Sequence, residues 1–600
     1  MLREPLFVAR VRGMRYLALA CDYDGTLATD GLVDAKTIGA LQRLVGSGRK
    51  LLLVTGRELA DLVAACPHVD LFHRVIAENG ALLFNPSTRE ETILANPPPN
   101  EFTETLRERH ITPLSVGRVI VATWQPHERT VLDAIRDLGL ELQVIFNKGA
   151  VMVLPSGVNK ATGLAAALAD LKLSAHNVVG IGDAENDHAF LQLCECSAAV
   201  ANALPAVMDH ADIVTRAGRG AGVRELIDEI LKDDLRSVGS KLTRHHLLIG
   251  SRPNGEEVRI PPYGVNLLVA GSSGGGKSTL ATGLLERFAE RDYQFCVLDP
   301  EGDYERIENA ITLGDAQNPP SIDEVLRVLD DPASNIAVNL VGLPLEERSR
   351  FFGALSSRLQ ELRARTGRPH WIVLDETHHL LSAGFEPAEI TLAQSFTSMA
   401  FITVHPKSVA RAVLESVDIV IALGKNPAEV LDEFVQSVSE RLPTTQSFEP
   451  KSGEGLLWAR HAGEAPFRLR PEVSRSERSR HRRKYAEGDL GPERSFYFRG
   501  AKGELKLRAQ NLILFSQVAE GIDDATWVYH LRSGDYSRWF QAVIKNEQLA
   551  AEARGIEQSL ELSPGDSRAA IKRAIERHYT LPDSAGASTS EENEIFPKVR

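Results

Sequence analysis

The first 235 or so residues alternate short apolar runs with longer segments whose apolar positions recur at helical spacing. YLALACDYDG reads as a strand running into a loop, DAKTIGALQRLVGSG as an amphipathic helix ending on glycine, and KLLLVTGR as strand and loop again. This rhythm predicts a parallel sheet with functional loops at the C-terminal ends of its strands. Residues 84–155 interrupt it. A proline-rich turn from Asn96 to Asn100, a helix, the strand RVIVATW, the helix PHERTVLDAIRDLG and the strands LQVIFN and AVMVLP predict an inserted α+β subdomain. The pattern resumes with NKATGLAAALADL and NVVGIGD.

A second α/β domain is expected from near His245 to about Arg470, through NLLVAGSSGGGKSTLATGLLERFAE, QFCVLDPEG, HWIVLDETHHLL and AFITVHP. The expected division is 1–240 for the first domain (insert about 84–155), 241–470 for the second, 471–492 for a polar linker, 493–582 for a small, mostly helical domain and 583–600 for a disordered tail.

Composition changes this picture little. The chain has 600 residues, 43% hydrophobic and 25% charged, a globular balance. No segment reaches the roughly 18 consecutive apolar residues of a membrane span, and arginines interrupt the apolar N-terminus, so neither a span nor a secretory leader is expected. Cys21, Cys66, Cys194, Cys196 and Cys296 are scattered. Cys194 and Cys196 are too close to pair easily, and no second Cys/His cluster completes a zinc site. Reduced thiols in a cytoplasmic protein are the expectation. Net charge is −13, which disfavours the whole protein as a nucleic-acid binder without excluding local patches.

Candidate chemistry sits at the strand ends. Asp22 and Asp24, two apart after an apolar strand, leave on one face. Two such carboxylates can divide labour, one attacking phosphorus and the other moving the proton of the leaving oxygen and then of water. A carboxylate and a phosphate dianion repel each other, so a cation is required, and Mg²⁺ suits oxygen ligands. Asp183 and Asp187 form a second acidic pair after another apolar strand. Thr55 offers a hydroxyl at a strand end, Gly56 lets its backbone approach an anion, and Lys160 opens a helix where it can neutralise phosphate. A lone Asp-x-Asp-Gly is an ordinary turn; four ordered fragments at strand and helix boundaries of one domain are not.

DYDGTLATDG, VTGR, NKATGL and GDAENDHAFL resemble, in order, the four motifs of the haloacid dehalogenase superfamily of phosphohydrolases. The resemblance covers about residues 15–232. It implies a Rossmann-like parallel sheet, Asp22 as nucleophile, Asp24 as general acid/base, and Thr55 and Lys160 holding the phosphoryl group. Mg²⁺ would be bound by Asp22, Asp183 and the carbonyl of Asp24, with Asp187 supporting the site and Asn186 near the phosphate. The insert sits where the subgroup related to sucrose-phosphate phosphatase and archaeal phosphoglycolate phosphatase carries an α/β cap, and AENGALL fits that subgroup. Such a cap implies a small phosphorylated metabolite as substrate and excludes water from the reacting centre.

Gly271, Gly276, Lys277 and Ser278 set out G-x-x-x-x-G-K-[ST] between an apolar strand and a helix. Gly271, Gly274, Gly275 and Gly276 let backbone N–H groups curl around the phosphates of ATP, and the helix start bearing Thr279 adds positive potential. Lys277 would reach the β/γ-phosphates and Ser278 would ligate Mg²⁺. In WIVLDE, Asp375 ends a buried strand where it would hold Mg²⁺ through water, and Glu376 can polarise the attacking water. The stretches IGSRPNGEEVRIPPYGVNLLVAGSSGGGKSTL, VLDPEGDY, IVLDETHHLL and FITVHP resemble the HerA/FtsK group of P-loop ATPases. That resemblance implies a hexameric ring, DNA pumping and an arginine finger, for which Arg348, Arg350, Arg358 and Arg411 are candidates. Here Thr403 is followed by Val404 and His405, where the group carries glutamine, and no barrel precedes the P-loop.

From 468 to 484 seven arginines and one lysine face two glutamates. That run could contact nucleic-acid phosphates or be a solvated connector. Trp527, His530, Tyr536, Trp539 and Phe540 recur at near-helical spacing, as packing residues do. The expected function is a bifunctional hydrolase, a Mg²⁺-dependent phosphatase working through an aspartyl-phosphate joined to an ATPase. The alternatives are a nucleic-acid translocase or an ATP-gated regulator in which the phosphatase is accessory.

Overall fold

The computed structural model describes residues 14–579 apart from 148, 273–274, 306, 385–396, 442–452, 473, 475–489, 491–493, 501–502, 504, 545 and 560. The expected tail and most of the arginine-rich run therefore lie outside the described residues. The chain divides into a unit ending at Val473 and a second beginning at Ser474.

The first unit opens with β1 (Ala18–Asp22), β2 (Lys50–Val54), β3 (Arg74–Ala77), β4 (Leu82–Asn85) and β5 (Glu90–Ile93). A separate four-stranded sheet follows, made of β6 (Ser115–Val116), β7 (Val121–Trp124), β8 (Leu142–Asn147) and β9 (Ala150–Pro155) in the order β6-β7-β9-β8. The main sheet is completed by β10 (Val178–Gly182), β11 (Cys196–Ala199) and β12 (Ile213–Val214), giving the order β12-β11-β10-β1-β2-β3-β4-β5. It is parallel from β12 to β3 and antiparallel from there to β5. Thus β5 and the end of β4, which fall in the sequence range expected for the insert, continue the main sheet; the insert's own sheet starts at Ser115.

Local chemistry fixes the helices that frame this sheet. Asp34 accepts the N–H of Lys36 and Thr37 at the start of helix Ala35–Gly46, and Asn159 and Thr162 close a capping box at the start of helix Lys160–Asp170. β1 is buried along its length, as a parallel strand covered on both faces must be.

The second domain carries β13 (Leu247–Ser251), β14 (Glu257–Ile260), β15 (Leu267–Gly271), β16 (Phe295–Asp299), β17 (Ile311–Leu313), β18 (Ile336–Asn339), β19 (Trp371–Leu374), β20 (Met399–Thr403), β21 (Ile419–Leu423), β22 (Gly455–Ala459) and β23 (Phe467–Pro471). They form one sheet in the order β14-β13-β23-β22-β21-β15-β20-β19-β16-β18-β17. The stretch from β21 to β17 is parallel, and β22, β23, β13 and β14 extend it antiparallel.

The two sheets meet at the N-terminal ends of their strands. His176 and Asn177 precede β10, and Glu195 precedes β11; opposite them, Arg291 and Tyr293 precede β16, and Arg368 and His370 precede β19. His176 Nε2 lies 2.6 Å from the Arg291 carbonyl, Tyr293 donates to Glu195 at 2.8 Å, and Arg368 donates to the Lys172 carbonyl at 3.0 Å. Asn177 Oδ1 is 3.3 Å from His370 Nε2. The C-terminal strand ends, which carry Asp22 and the P-loop, therefore point away from each other.

Among its described residues the second unit has a hairpin, β24 (Phe496–Phe498) and β25 (Leu507–Ala509), and five helices between Leu512 and Tyr579. Trp527, His530, Tyr536, Trp539 and Phe540 are buried in its core, and Trp527 stacks on Tyr536 at 4.5 Å. Among the described residues no helix is long and apolar enough to cross a membrane.

Candidate active sites

Asp22 ends β1, Thr55 follows β2, Asp183 follows β10, and Lys160 begins a helix. The fold brings them together. Lys160 Nζ donates to Asp22 Oδ1 and Asp187 Oδ1, both at 2.5 Å, and is almost wholly buried. Asp22, Asp183 and Asp187 each offer a carboxylate oxygen within 4.8 Å of the others. Burial pushes Asp22 up to about 7; Asp187 adds to the rise and Lys160 opposes it. The second oxygen of Asp187 accepts the main-chain N–H of Asp183 and Ala184, both at 2.9 Å, which fixes the loop after β10. Thr26 donates to Asp183 at 3.3 Å. Thr55 Oγ1 accepts the Arg57 N–H at 3.1 Å. Three hard oxygen donors converging at one buried point suit a small divalent cation.

Asp24 stands apart from that cluster. Arg57 donates to it through two nitrogens, Nε to Oδ2 at 2.6 Å and Nη2 to Oδ1 at 2.7 Å, and through Nη1 to Asp61 at 2.8 Å. Asn186 donates to Asn79 Oδ1 at 3.1 Å, while Asn79 Nδ2 is buried without a hydrogen-bond partner beside Gly56 and Asn186. Asn79 and Glu78 both adopt left-handed backbone, at φ 55° and 51°. The Glu78 carboxylate accepts the N–H of Arg118, Val119 and Ile120 at 2.8–2.9 Å and so ties the inserted subdomain to the main domain. A cavity of about 540 Å³ lies between them, floored by Asp22, Asp24, Lys160 and Asn186 and roofed by Ile120, Trp124 and Met152. Arg57, Asn79 and Glu78 were not singled out from the sequence, although VTGR and AENG contain them.

In the second domain, Gly271 ends β15 against β21, where an added Cβ would lie 2.3 Å from the Leu423 carbonyl oxygen. Gly276 has φ 93° and caps the helix Lys277–Glu290. Lys277 is buried, with Nζ 3.4 Å from the Ser272 carbonyl. Gly275 packs on Gly424, Ser278 is exposed and Thr279 half-buried; Gly274 lies outside the described residues. Asp375 and Glu376 follow β19 directly. Burial pushes Asp375 up to about 7, and burial also raises Glu376, opposed by Lys277. His378 Nδ1 is 3.4 Å from Glu376 Oε2 and 3.3 Å from Thr403 Oγ1, a contact the sequence did not signal. His405 is exposed, 3.8 Å from Glu433. Arg358 and Arg411 pair within this chain, with Glu361 and Glu415. Arg468 and Arg470, the start of the basic run, pair with buried Glu454.

Residues 19–113 and 126–227 match the haloacid dehalogenase-like hydrolases, and residues 265–379 match the helicase HerA central domain. The chain is 30% identical over 231 residues to phosphoglycolate phosphatase 2 of Saccharolobus solfataricus, covering 36% of this chain and 94% of that protein. It is 29% identical over 219 residues to the phosphoglycolate phosphatase of Methanothermobacter thermautotrophicus, covering 35% and 96%. Among solved structures it is similar to a haloacid dehalogenase-like hydrolase from Bacteroides thetaiotaomicron, at 20% identity over 36% of this chain and 99% of that one, with a TM-score of 0.32.

Proposed function

The chain belongs to the haloacid dehalogenase-like hydrolases, with a HerA-type central domain behind the phosphatase, and from that premise we propose a bifunctional hydrolase that cleaves a small phosphate monoester at one end and ATP at the other. The observation that carries the phosphatase reading is the buried Asp22–Lys160–Asp187 arrangement at the floor of the capped cavity. Asp22 attacks phosphorus while the bond to the leaving oxygen breaks, and Asp24 gives that oxygen its proton. Asp24 then takes a proton from water as it attacks the aspartyl-phosphate, which frees inorganic phosphate and restores Asp22. Lys160, Thr55, the Gly56 backbone and Asn186 hold the non-bridging oxygens. Asp22, Asp183, Asp187 and the Asp24 carbonyl would hold Mg²⁺, which supplies the positive charge that lets a carboxylate approach a phosphate dianion. The roof over the cavity keeps water from the reacting centre until the leaving group has gone.

In the second domain the loop from Gly271 to Thr279 cradles the ATP phosphates, Lys277 reaches the β/γ-phosphates, and Ser278 and Asp375 would hold the nucleotide's Mg²⁺. Glu376 orients the attacking water, with His378 beside it.

A panel of phosphorylated metabolites that includes 2-phosphoglycolate, assayed for phosphate release by wild type and Asp22→Asn, tests the phosphatase reading. Turnover of at least one small monoester that disappears in Asp22→Asn is expected; no turnover of any, or turnover that survives the substitution, overturns it. The back-to-back docking of the sheets favours a second reading, in which ATP bound in one domain modulates the other through their shared buried contacts. Phosphatase kinetics that are identical with and without ATP, in wild type and in Lys277→Ala, would exclude that reading. Stimulation of ATP turnover by duplex DNA at low salt would instead favour a translocase.

A further inference from the structure

Glu376 lies in left-handed backbone, at φ 38°, and the short turn Thr377–His379 follows it directly. Thr377 fastens that turn to the neighbouring strand. Its hydroxyl donates to the Leu374 carbonyl at 2.9 Å and accepts the Ile402 N–H at 3.0 Å, and the residue is fully buried. β20 runs parallel between β19 and β15, the strand that leads into the P-loop. A side chain on this turn can therefore reach the strand that separates Glu376 from the P-loop.

His378 makes that reach. Its Nδ1 lies 3.4 Å from Glu376 Oε2 and 3.3 Å from Thr403 Oγ1, at the end of β20. Thr403 is buried, and its hydroxyl donates to the His405 carbonyl at 3.4 Å. A hydroxyl has one hydrogen. With that hydrogen on the His405 carbonyl, the Thr403 oxygen turns its lone pairs to the ring, so Nδ1 carries the N–H and directs it between two acceptors. One of them, Glu376 Oε2, is buried with no hydrogen-bond partner. A buried carboxylate oxygen without a donor is costly, and the His378 N–H stands next to it.

The contacts continue beyond the ring. The loop after β20 is held by Lys407, 2.9 Å from Glu433 of the helix Pro427–Val438. A run of polar contacts thus leads from Glu376 through His378 and Thr403 to the His405 backbone and a loop anchored on that helix. His405 itself turns its ring outward, 3.8 Å from Glu433.

We infer that His378 is a positioning residue of the ATPase site. Through Nδ1–H it fixes the Glu376 carboxylate so that Oε1 faces the attacking water, and through Thr403 it ties that carboxylate to the loop after β20. The inference rests on the ATPase reading given above. In that reaction the water oxygen bonds to the terminal phosphorus, the bond from that phosphorus to the bridging oxygen breaks, and Glu376 takes a proton from the water and passes it to solvent. His378 acts on this step through Glu376. Its loss therefore lowers turnover and leaves ATP binding, which rests on the loop from Gly271 to Thr279, in place.

The test is steady-state ATP turnover of the full chain, with duplex DNA present and absent, for wild type, Glu376→Gln, His378→Leu, His378→Asn and Thr403→Val. Melting temperatures of the same preparations check the fold. His378→Leu should lose roughly 10- to 100-fold in kcat, part of what positioned acid–base groups supply, with KM within about twofold of wild type. His378→Asn, whose amide N–H falls where Nδ1–H stood, should recover most of that loss, and Thr403→Val should lose a smaller part. A wild-type kcat in His378→Leu, while Glu376→Gln is inactive, overturns the inference and leaves the ATPase reading standing. Equal losses in His378→Leu and His378→Asn overturn it too, because the ring would then matter only for packing. If the leucine variant does not fold, His378→Asn decides: a kcat near wild type supports the inference, and a loss as large as that of Glu376→Gln overturns it. Absence of ATP turnover in wild type removes the ATPase reading itself, and the inference with it.

Discussion

Arg57 grips both carboxylate oxygens of Asp24, at 2.6 and 2.7 Å, through a fork that also reaches Asp61. Asp24 and Arg57 sit on neighbouring strand ends, so the guanidinium fixes the direction in which the proposed acid/base faces the leaving oxygen. Bidentate geometry of this kind is specific to arginine. Arg57→Ala should lower kcat by roughly 10- to 100-fold, part of the ~10²–10⁴ that positioned acid–base catalysis supplies. Arg57→Lys should recover little of it. Steady-state kinetics with KM and kcat separated check this; an unchanged kcat in Arg57→Ala would show that Asp24 needs no such clamp.

The inserted subdomain depends on Glu78. Its carboxylate satisfies three consecutive main-chain N–H groups of the turn between β6 and β7. Glu78→Ala leaves the buried amides of Val119 and Ile120 without acceptors, at a cost of about 1–3 kcal/mol each. Faster hydrogen exchange across residues 115–124 and a raised KM for the phosphate ester are expected. Exchange identical to wild type would mean that other contacts hold the roof.

Gly271 has no room for a side chain, because an added Cβ would meet the Leu423 main chain, its carbonyl oxygen at 2.3 Å. Gly271→Ala should therefore force β15 and β21 apart, costing roughly 1–3 kcal/mol as overpacking does, and abolish ATP binding. Thermal unfolding and nucleotide titration measure the two effects. Wild-type affinity in the variant would contradict the close approach.

The stability of the phosphatase domain should respond to pH through His73. Its Nδ1 accepts the Leu51 N–H at 3.2 Å, and burial first, then Lys50, pushes its value below the ordinary imidazole range. The folded state thus prefers the neutral ring. The contribution is present above the unfolded value of about 6.5 and is lost as pH falls through the lowered folded value. Below about 6.5, wild type should lose melting temperature faster than His73→Gln. Parallel curves for the two proteins would show that His73 is not the responsible group.

The strand ends that carry the proposed sites of both domains were legible because their chemistry is local. Asp22, Thr55 and Asp183 each close an apolar run, and Lys277 follows its glycines directly, so strand patterning and motif spacing place them without knowledge of the fold. Asn79 and Glu78 were harder: both lie in left-handed backbone between β3 and β4, and their partners are more than thirty residues away on Arg118 and Asn186. The end of β4 and all of β5 read as part of the insert because antiparallel pairing on the main sheet breaks the β-α-β rhythm. Least legible was the seam between the domains. His176, Glu195, Tyr293 and His370 look like ordinary core residues in sequence, and only the meeting of two sheets at their N-terminal strand ends brings them together.

The most direct test of the account is a crossed assay of phosphate release from a monoester substrate and from ATP, with Asp22→Asn and Lys277→Ala measured beside wild type. Asp22→Asn should abolish monoester cleavage and retain ATP turnover, and Lys277→Ala should abolish ATP turnover while monoester cleavage persists. Monoester cleavage that survives Asp22→Asn, or loss of both activities in either variant that still folds, would contradict two separate hydrolytic sites in one chain.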